Sequence, residues 1–387
     1  MPINASDHIL NHHMLVAGST GSGKSNLLSN IGHAATSGGR SVILFDHKPD
    51  HQHHHLPNTH PETQNPRAYS LNGQDPNAIP VRYWTLDIQD PNQDAIVITV
   101  RARDLDPEIL AGTIFYRPSE DLQAEIFAHI ASSFADDQSA TNPTWTIHNL
   151  IDHIRNTSDG VLRTRLYGGN QGGSAFAQSM AAIRRKIQAP GRIPGFVDPV
   201  LPTAPITGRR RTTGNISQVF APGLNVIRIS ETNRRGYALF LQNLLQGAAD
   251  YRTGAVHQPS ESVHDLEIII DEASDIFRAE SRYLREVSTG MLSEQIRKGR
   301  SLHIGYVIAV QSAGDVPESI RNNLNTTMVG RHRNMSVLRD ALPTARPGML
   351  EQADKLIPGE MFVDLFGVRS LLLVKMDHSR SQLTMAP

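Results

Sequence analysis

The 387-residue sequence contains no cysteine. Disulfides, thiolate zinc sites and cysteine nucleophiles are thereby excluded, and the cytoplasm is the simplest expected compartment. Long apolar runs are missing as well. Residues 306–310 and 371–374 are among the longest, far short of the ~20 residues a membrane-spanning helix needs. The first residues carry no signal-peptide pattern, so a soluble, internal protein without membrane contact is expected. Neither sign of charge is in excess: the formal net charge is −1. Any grip on nucleic acid must then come from local basic patches or from several subunits focusing their charge. Internal repeats are absent, and so is low complexity beyond one histidine cluster. What is present, 39% hydrophobic and 19% charged residues, is the profile of a folded globular chain. Its length suits one large α/β domain with an insertion, or two domains.

Residues 14–17 form a short apolar run entering a glycine-rich loop, and a helical pattern starts at Lys24, giving strand, loop, helix. A second buried strand spans 42–45 and ends in Asp46, after which 47–80, rich in His, Pro, Asn and Gln, reads as a long surface excursion. Strand patterns resume at 81–86 and 95–100. From 106 to 252 helices dominate: Leu122, Ile126, Phe127, Ile130 and Phe134 share one face, as do Phe176, Met180, Ile183 and Ile187. Within this stretch 189–223 is rich in Pro, Gly and Arg, lacks periodicity and reads as a mobile loop; 224–229 returns to order. Residues 266–270 and 304–310 are continuous apolar runs, as in parallel strands buried on both faces. The stretches 361–365 and 370–375 read as an edge hairpin around Phe366 and Gly367. Three parts are expected: 1–105 and 253–387 as two pieces of one α/β core, and 106–252 as a helical insertion carrying the basic loop 189–223.

The chemistry concentrates in four places. Gly18, Ser19, Thr20, Gly21, Ser22, Gly23, Lys24 and Ser25 match G-x-x-x-x-G-K-[ST] between a strand and a helix, with Asn26 next in the helix. Small residues let backbone N–H groups curl around phosphates, and the helix N-terminus adds partial positive charge. Lys24 would neutralise the β- and γ-phosphates of ATP, and the Ser25 hydroxyl would bind Mg2+. At the end of the apolar run 266–270, Asp271 would hold the ion and Glu272 would polarise the attacking water. Gln311 follows the run 304–310, at the strand end where α/β ligand sites lie, and is placed to sense the γ-phosphate. Arg300, eleven residues earlier, lies at the opposite end of that strand. It could reach a neighbouring subunit's phosphate as an arginine finger, or simply be a basic helix terminus favoured by the helix dipole.

With these motifs the sequence resembles the HerA and FtsK superfamily of hexameric DNA-pumping ATPases, closest to the HerA branch. The resemblance is carried by residues 10–25, by Phe45, Asp46, His47 and Lys48, by 269–272, by 300–311 and by 315–331. It implies a RecA-like (ASCE) P-loop NTPase fold with a mostly parallel central sheet and an inserted helical subdomain. It also implies Gln311 as sensor, Arg300 acting in trans, and accessory roles for Asp46, Lys48 and Arg331. Two departures stand out: the small β-barrel before the ATPase of typical archaeal HerA and the winged helix that ends FtsK are expected to be absent.

Among weaker signals, the histidines at 47, 51, 53, 54, 55 and 60 lack acidic or cysteine partners at defined spacing and read as a loop cluster rather than a metal site. Arg209, Arg210 and Arg211, and separately Arg184, Arg185 and Lys186, are candidate contacts to a DNA backbone. The resulting expectation is an ATP- and Mg2+-dependent ring, a homo-oligomer and by resemblance a hexamer, that translocates along or unwinds duplex DNA. A nuclease or anti-phage effector is a plausible partner. Viral genome packaging, and a non-motor scaffold gated by ATP, are the alternatives; a conjugation-type coupling ATPase would be expected to carry a membrane anchor.

Overall fold

The computed structural model describes residues 12–59, 76–87, 90, 94–168, 173–189, 191–199, 212–229, 236–257, 263–278 and 282–383. Its centre is an 11-stranded sheet in the order β11-β10-β9-β1-β8-β7-β2-β6-β3-β4-β5. Strands β1 (Met14–Ala17), β2 (Ser41–Asp46), β7 (Leu266–Ile270) and β8 (Ile304–Val310) are buried along their whole length. Helices or loops cover both faces there, so uninterrupted aliphatic runs replace the in-out alternation of a half-exposed strand. Helix α1 (Lys24–Ser37) follows β1 and lays Leu27, Leu28 and Ile31 on the side of the sheet formed by Val16, Val42 and Leu44.

Strands β3 (Val81–Thr85), β4 (Ile96–Ile98), β5 (Thr213–Gly214) and β6 (Gly223–Arg228) extend the parallel sheet on one side. On the other, β9 (Thr326–Val329) runs parallel to β1, while β10 (Glu360–Asp364) and β11 (Leu372–Lys375) are antiparallel and form the expected edge hairpin.

Between β4 and β5 stand helices α2 (Pro107–Ile114), α3 (Asp121–Thr141), α4 (Ile147–Asn156), α5 (Asp159–Tyr167) and α6 (Gly173–Ile187). Asp106 caps α2, its carboxylate accepting from the N–H of Glu108 at 2.7 Å, with Pro107 in the first position where no N–H is needed. Phe127 of α3 packs on Phe115, and Phe134 meets Trp145 edge-on at 5.4 Å. Leu122, on the same helical wheel, is 55% exposed: it sits in the first turn of α3, ahead of the packed stretch.

Three expectations change. Residues 106–252 are not helical throughout, because β6 pairs between β2 and β3 inside the central sheet, and α7 (Tyr237–His257) packs on α9 (Arg282–Gly299) beside it, the short α8 (Ser274–Phe277) falling between them in the chain. The stretch 189–223 is partly built in: Phe196, Val197, Val219 and Phe220 are core residues, and Val100 N–H donates to the Phe196 carbonyl at 2.9 Å. Apolar anchors at irregular spacing leave no periodic signal. Arg184 donates to the carbonyls of Ile154 and Thr157 and pairs with Asp159 at 2.6 Å, while Lys186 pairs with Glu120. Both are committed to holding the helical bundle together, leaving Arg185 as the exposed member of that trio. Arg209, Arg210 and Arg211 lie outside the described residues.

Candidate nucleotide site

The loop between β1 and α1 needs glycine at two positions, Gly21 with φ 79° and Gly23 with φ 97°. A Cβ on Gly23 would also come within 3.0 Å of the Gly359 nitrogen. The loop is tied down from three sides. Gly18 N–H donates to the Val310 carbonyl at 3.3 Å, Ser19 donates through its N–H and its hydroxyl to the Arg331 carbonyl at 3.1 Å, and Gly359 N–H donates to the Ser22 carbonyl at 3.0 Å. Arg331 therefore serves the loop through its backbone, while its Nε donates to the Asp354 carbonyl at 3.1 Å. Thr20 and Gly21 stand exposed. The first-turn N–H groups of α1 have no partner within their own helix and face the loop, an arrangement suited to an anion.

Lys24 is 7% exposed and its ammonium donates to the Gly18 carbonyl at 2.6 Å. Burial pulls its pKa below the usual lysine range, with Glu272 and Asp271 opposing the shift. Such a lysine gains when a phosphate supplies the missing countercharge. Asn26 is engaged elsewhere: its Nδ2 donates to the Asp377 carbonyl at 2.6 Å and its Oδ1 accepts from Ser379 N–H at 2.5 Å.

Strand β7 delivers Asp271 and Glu272 to the same edge. Asp271 is 3% exposed and accepts from Glu272 N–H at 2.9 Å. Burial, reinforced by the Glu272 charge, pushes its pKa up to about 6. Glu272 has φ 49°, a left-handed conformation that is uncommon outside glycine and recurs at functional sites. Burial alone would raise its pKa, but the bond and charge of Lys48, the bond from Gln311 and the charge of Lys24 together hold it below the ordinary range. Lys48 is raised reciprocally, the Glu272 contact outweighing desolvation. Gln311, at the end of β8, donates to Glu272 Oε2 at 3.1 Å. Asp46, 1% exposed at the end of β2, has its pKa pushed well up by burial, partly offset by the N–H groups of His51 and Asp50.

Sequence reasoning missed Asp50, whose Oδ2 accepts from the Ser25 hydroxyl at 2.9 Å. No motif marks it, although it is the sole carboxylate within 47–60. The same segment departs from the expected surface excursion: His51 and His54 are fully buried. Among the described residues no group of three or more His, Asp and Glu has the arrangement of a metal site. Arg300 lies at the far end of β8 from Gln311, exposed just after α9. A seven-residue strand separates the two ends by roughly 20 Å, too far for Arg300 to serve its own site.

Magnesium is implied by this fold. Ser25 Oγ and the Asp271 carboxylate are hard oxygen donors of the kind it takes, and the raised Asp271 describes a buried carboxylate that a cation would stabilise.

A mostly parallel sheet with a phosphate-type loop after β1 and an Asp-Glu pair after β7 defines the RecA-like P-loop ATPase class. The family described as helicase HerA, central domain (DUF87), matches residues 1–204, more than half of the chain, and the chain belongs to it. Among solved structures the chain is similar to the bacterial conjugative coupling protein TrwBΔN70 in an unbound monoclinic form, at 16% identity and TM-score 0.59, over 98% of this chain and 88% of that one. TrwB in complex with the GTP analogue GDPNP gives 16%, 0.60, 98% and 88%. TrwB with ADP and Mg2+ gives 16%, 0.59, 96% and 86%. At such identity the likeness is one of fold. A search of curated proteins returned no match. No helix among the described residues is long and apolar enough to cross a membrane.

Proposed function

We propose that the chain hydrolyses ATP with Mg2+ and, as a homo-oligomeric ring of HerA type, couples hydrolysis to movement along duplex DNA. The observation that carries this reading is the convergence of Lys24, Ser25, Asp271, Glu272 and Gln311 on one edge of the sheet, with Arg300 at the other. Backbone N–H groups of residues 21–25 and the Lys24 ammonium bind the phosphates. Ser25 and Asp271 would hold Mg2+, which when bound would offset phosphate charge. Glu272 accepts the proton of the attacking water, and Gln311 links that carboxylate to the end of β8. Because Arg300 is beyond reach of its own site, it completes the site of the next subunit in a head-to-tail ring. Helices α2–α6 form an insertion on this core, and the basic segment with Arg209, Arg210 and Arg211 is the candidate DNA contact.

The test is steady-state ATPase activity with and without duplex DNA, across a salt series. DNA stimulation that weakens as salt rises is expected. A rate indifferent to DNA at every salt concentration would instead favour an ATP-gated scaffold.

A further inference from the structure

We infer that Asp50 is a positioning residue of the metal site: it accepts the Ser25 hydroxyl proton and so aims the Ser25 oxygen at the cation. The inference rests on the ATP and Mg2+ reading above. A hydroxyl that ligates a metal donates a lone pair to it and must point its proton elsewhere. A carboxylate receiving that proton fixes the orientation and raises the donor strength of the oxygen. In this chain the acceptor is Asp50, at 2.9 Å, while Asp271 accepts from the backbone of Glu272.

Asp50 lies in neither the glycine loop nor a strand, so its position has to be held by other means. Two anchors hold it. On the sheet side, the two carboxylate oxygens of buried Asp46 accept from the N–H groups of Asp50 and His51, each at 3.3 Å. On the outer side, His51 Nδ1 meets His54 Nε2 at 3.0 Å, and His54 Nδ1 meets the Ser381 hydroxyl at 2.6 Å. Ser381 belongs to a strap, residues 377–382, laid along α1: Asn26 and Asn30 donate to the Asp377 carbonyl, Ser29 meets Ser379 at 2.6 Å, and His33 reaches Ser381 at 3.3 Å. Helix α1 is the helix that carries Ser25. The turn bearing Asp50 and the helix bearing Ser25 are thus fastened to one strap, and the direct bond closes the circuit. Held this way, the pair is preorganised before any cation arrives. The buried histidines, which made no sense as a solvated loop, form the buttress of that turn.

The experiment measures binding of fluorescent mant-ADP in EDTA and through a Mg2+ titration, for wild type and Asp50→Ala, which removes the acceptor. In EDTA the two should bind within about twofold of each other. The Mg2+ concentration giving half of the metal-dependent change should rise about tenfold in the variant, as removal of such an outer partner does elsewhere. Asp50→Glu, which keeps an acceptor on a longer arm, should recover part of the difference. An unmoved Mg2+ midpoint overturns the assignment, and so does an equal loss of affinity in EDTA, which would make Asp50 a support of the loop alone. Asp50→Ser, read by the same two outcomes, replaces the Ala variant if that one does not fold. Wild type that fails to bind mant-ADP removes the ATP reading itself; binding with an unmoved midpoint removes only the role of Asp50.

Discussion

Glu272 has both carboxylate oxygens engaged: Oε2 accepts from Gln311 Nε2 at 3.1 Å, and Oε1 is paired with Lys48. These donors come from the ends of β8 and β2, the strands on either side of β7. They hold Glu272 as an ionised carboxylate, the form a general base requires. Glu272→Gln keeps the size of the side chain while removing its charge and one of its two acceptor oxygens. Phosphate release should fall by about 10²–10³-fold, with mant-ADP affinity unchanged within about threefold. A variant retaining a tenth or more of the wild-type rate would exclude Glu272 as the base.

Arg300 calls for a test of partnership. It is exposed, and no described carboxylate pairs with it, so Arg300→Ala should leave the thermal midpoint within about 2 °C of wild type. The ATPase rate should fall by about 10³-fold. Neither Arg300→Ala nor Glu272→Gln assembles a working site alone. In an equimolar mixture, roughly a quarter of sites combine the intact Glu272 of one subunit with the intact Arg300 of the next. Recovery of activity on mixing is the expected result. Two inactive proteins that stay inactive together would rule out action in trans.

Gly299 sets the approach to Arg300. A Cβ there would lie 2.7 Å from Tyr306 Cε2, 2.8 Å from the Ile304 carbonyl and 2.9 Å from His13 Cε1. The carbonyl cannot rotate away as a flexible side chain could. Gly299→Ala should therefore cost about 1–3 kcal/mol, seen as a thermal midpoint several degrees lower. The ATPase rate at a permissive temperature should drop as well, because the turn carrying Arg300 must shift. An unchanged midpoint would mean that the junction of α9 and β8 is looser than these distances state.

The strands around the site could be read in advance because burial on both faces leaves an unbroken aliphatic run, as in 266–270 and 304–310, and because the residues that follow them are polar. The glycine loop was legible for a different reason, since positive φ at Gly21 and Gly23 restricts the residue type. Asp50 and the His51–His54 pair were not legible. Their burial depends on residues 377–382, more than 300 positions away, and a polar side chain satisfied by a distant partner has no periodic signature. The side-chain amide of Asn26 is taken by the same strap, a partner that is illegible for the same reason. The irregular anchors Phe196 and Phe220 escaped notice because each plugs the core singly.

The buried histidines give the fold a pH dependence whose sign follows from burial. His33 and His51 are both pulled down from 6.5 to about 4, chiefly by desolvation. Between about pH 4 and 6.5 the unfolded chain therefore binds more protons at these positions than the folded one, and stability falls as pH falls through that window. Glu267, buried on β7 against Arg40 and pushed up to about 8, slopes the other way, since the fold holds its proton where the unfolded chain does not. The total curve mixes both signs, so the informative quantity is the difference between wild type and His51→Gln in urea unfolding at pH 7, 6 and 5. The variant should be less stable at pH 7, because it breaks the contact with His54. Its stability should nevertheless decline less steeply toward pH 5, by up to ~1.4 kcal/mol per pH unit for one proton. Parallel curves would mean that His51 titrates alike in both states, which full burial beside His54 and Asp46 does not allow.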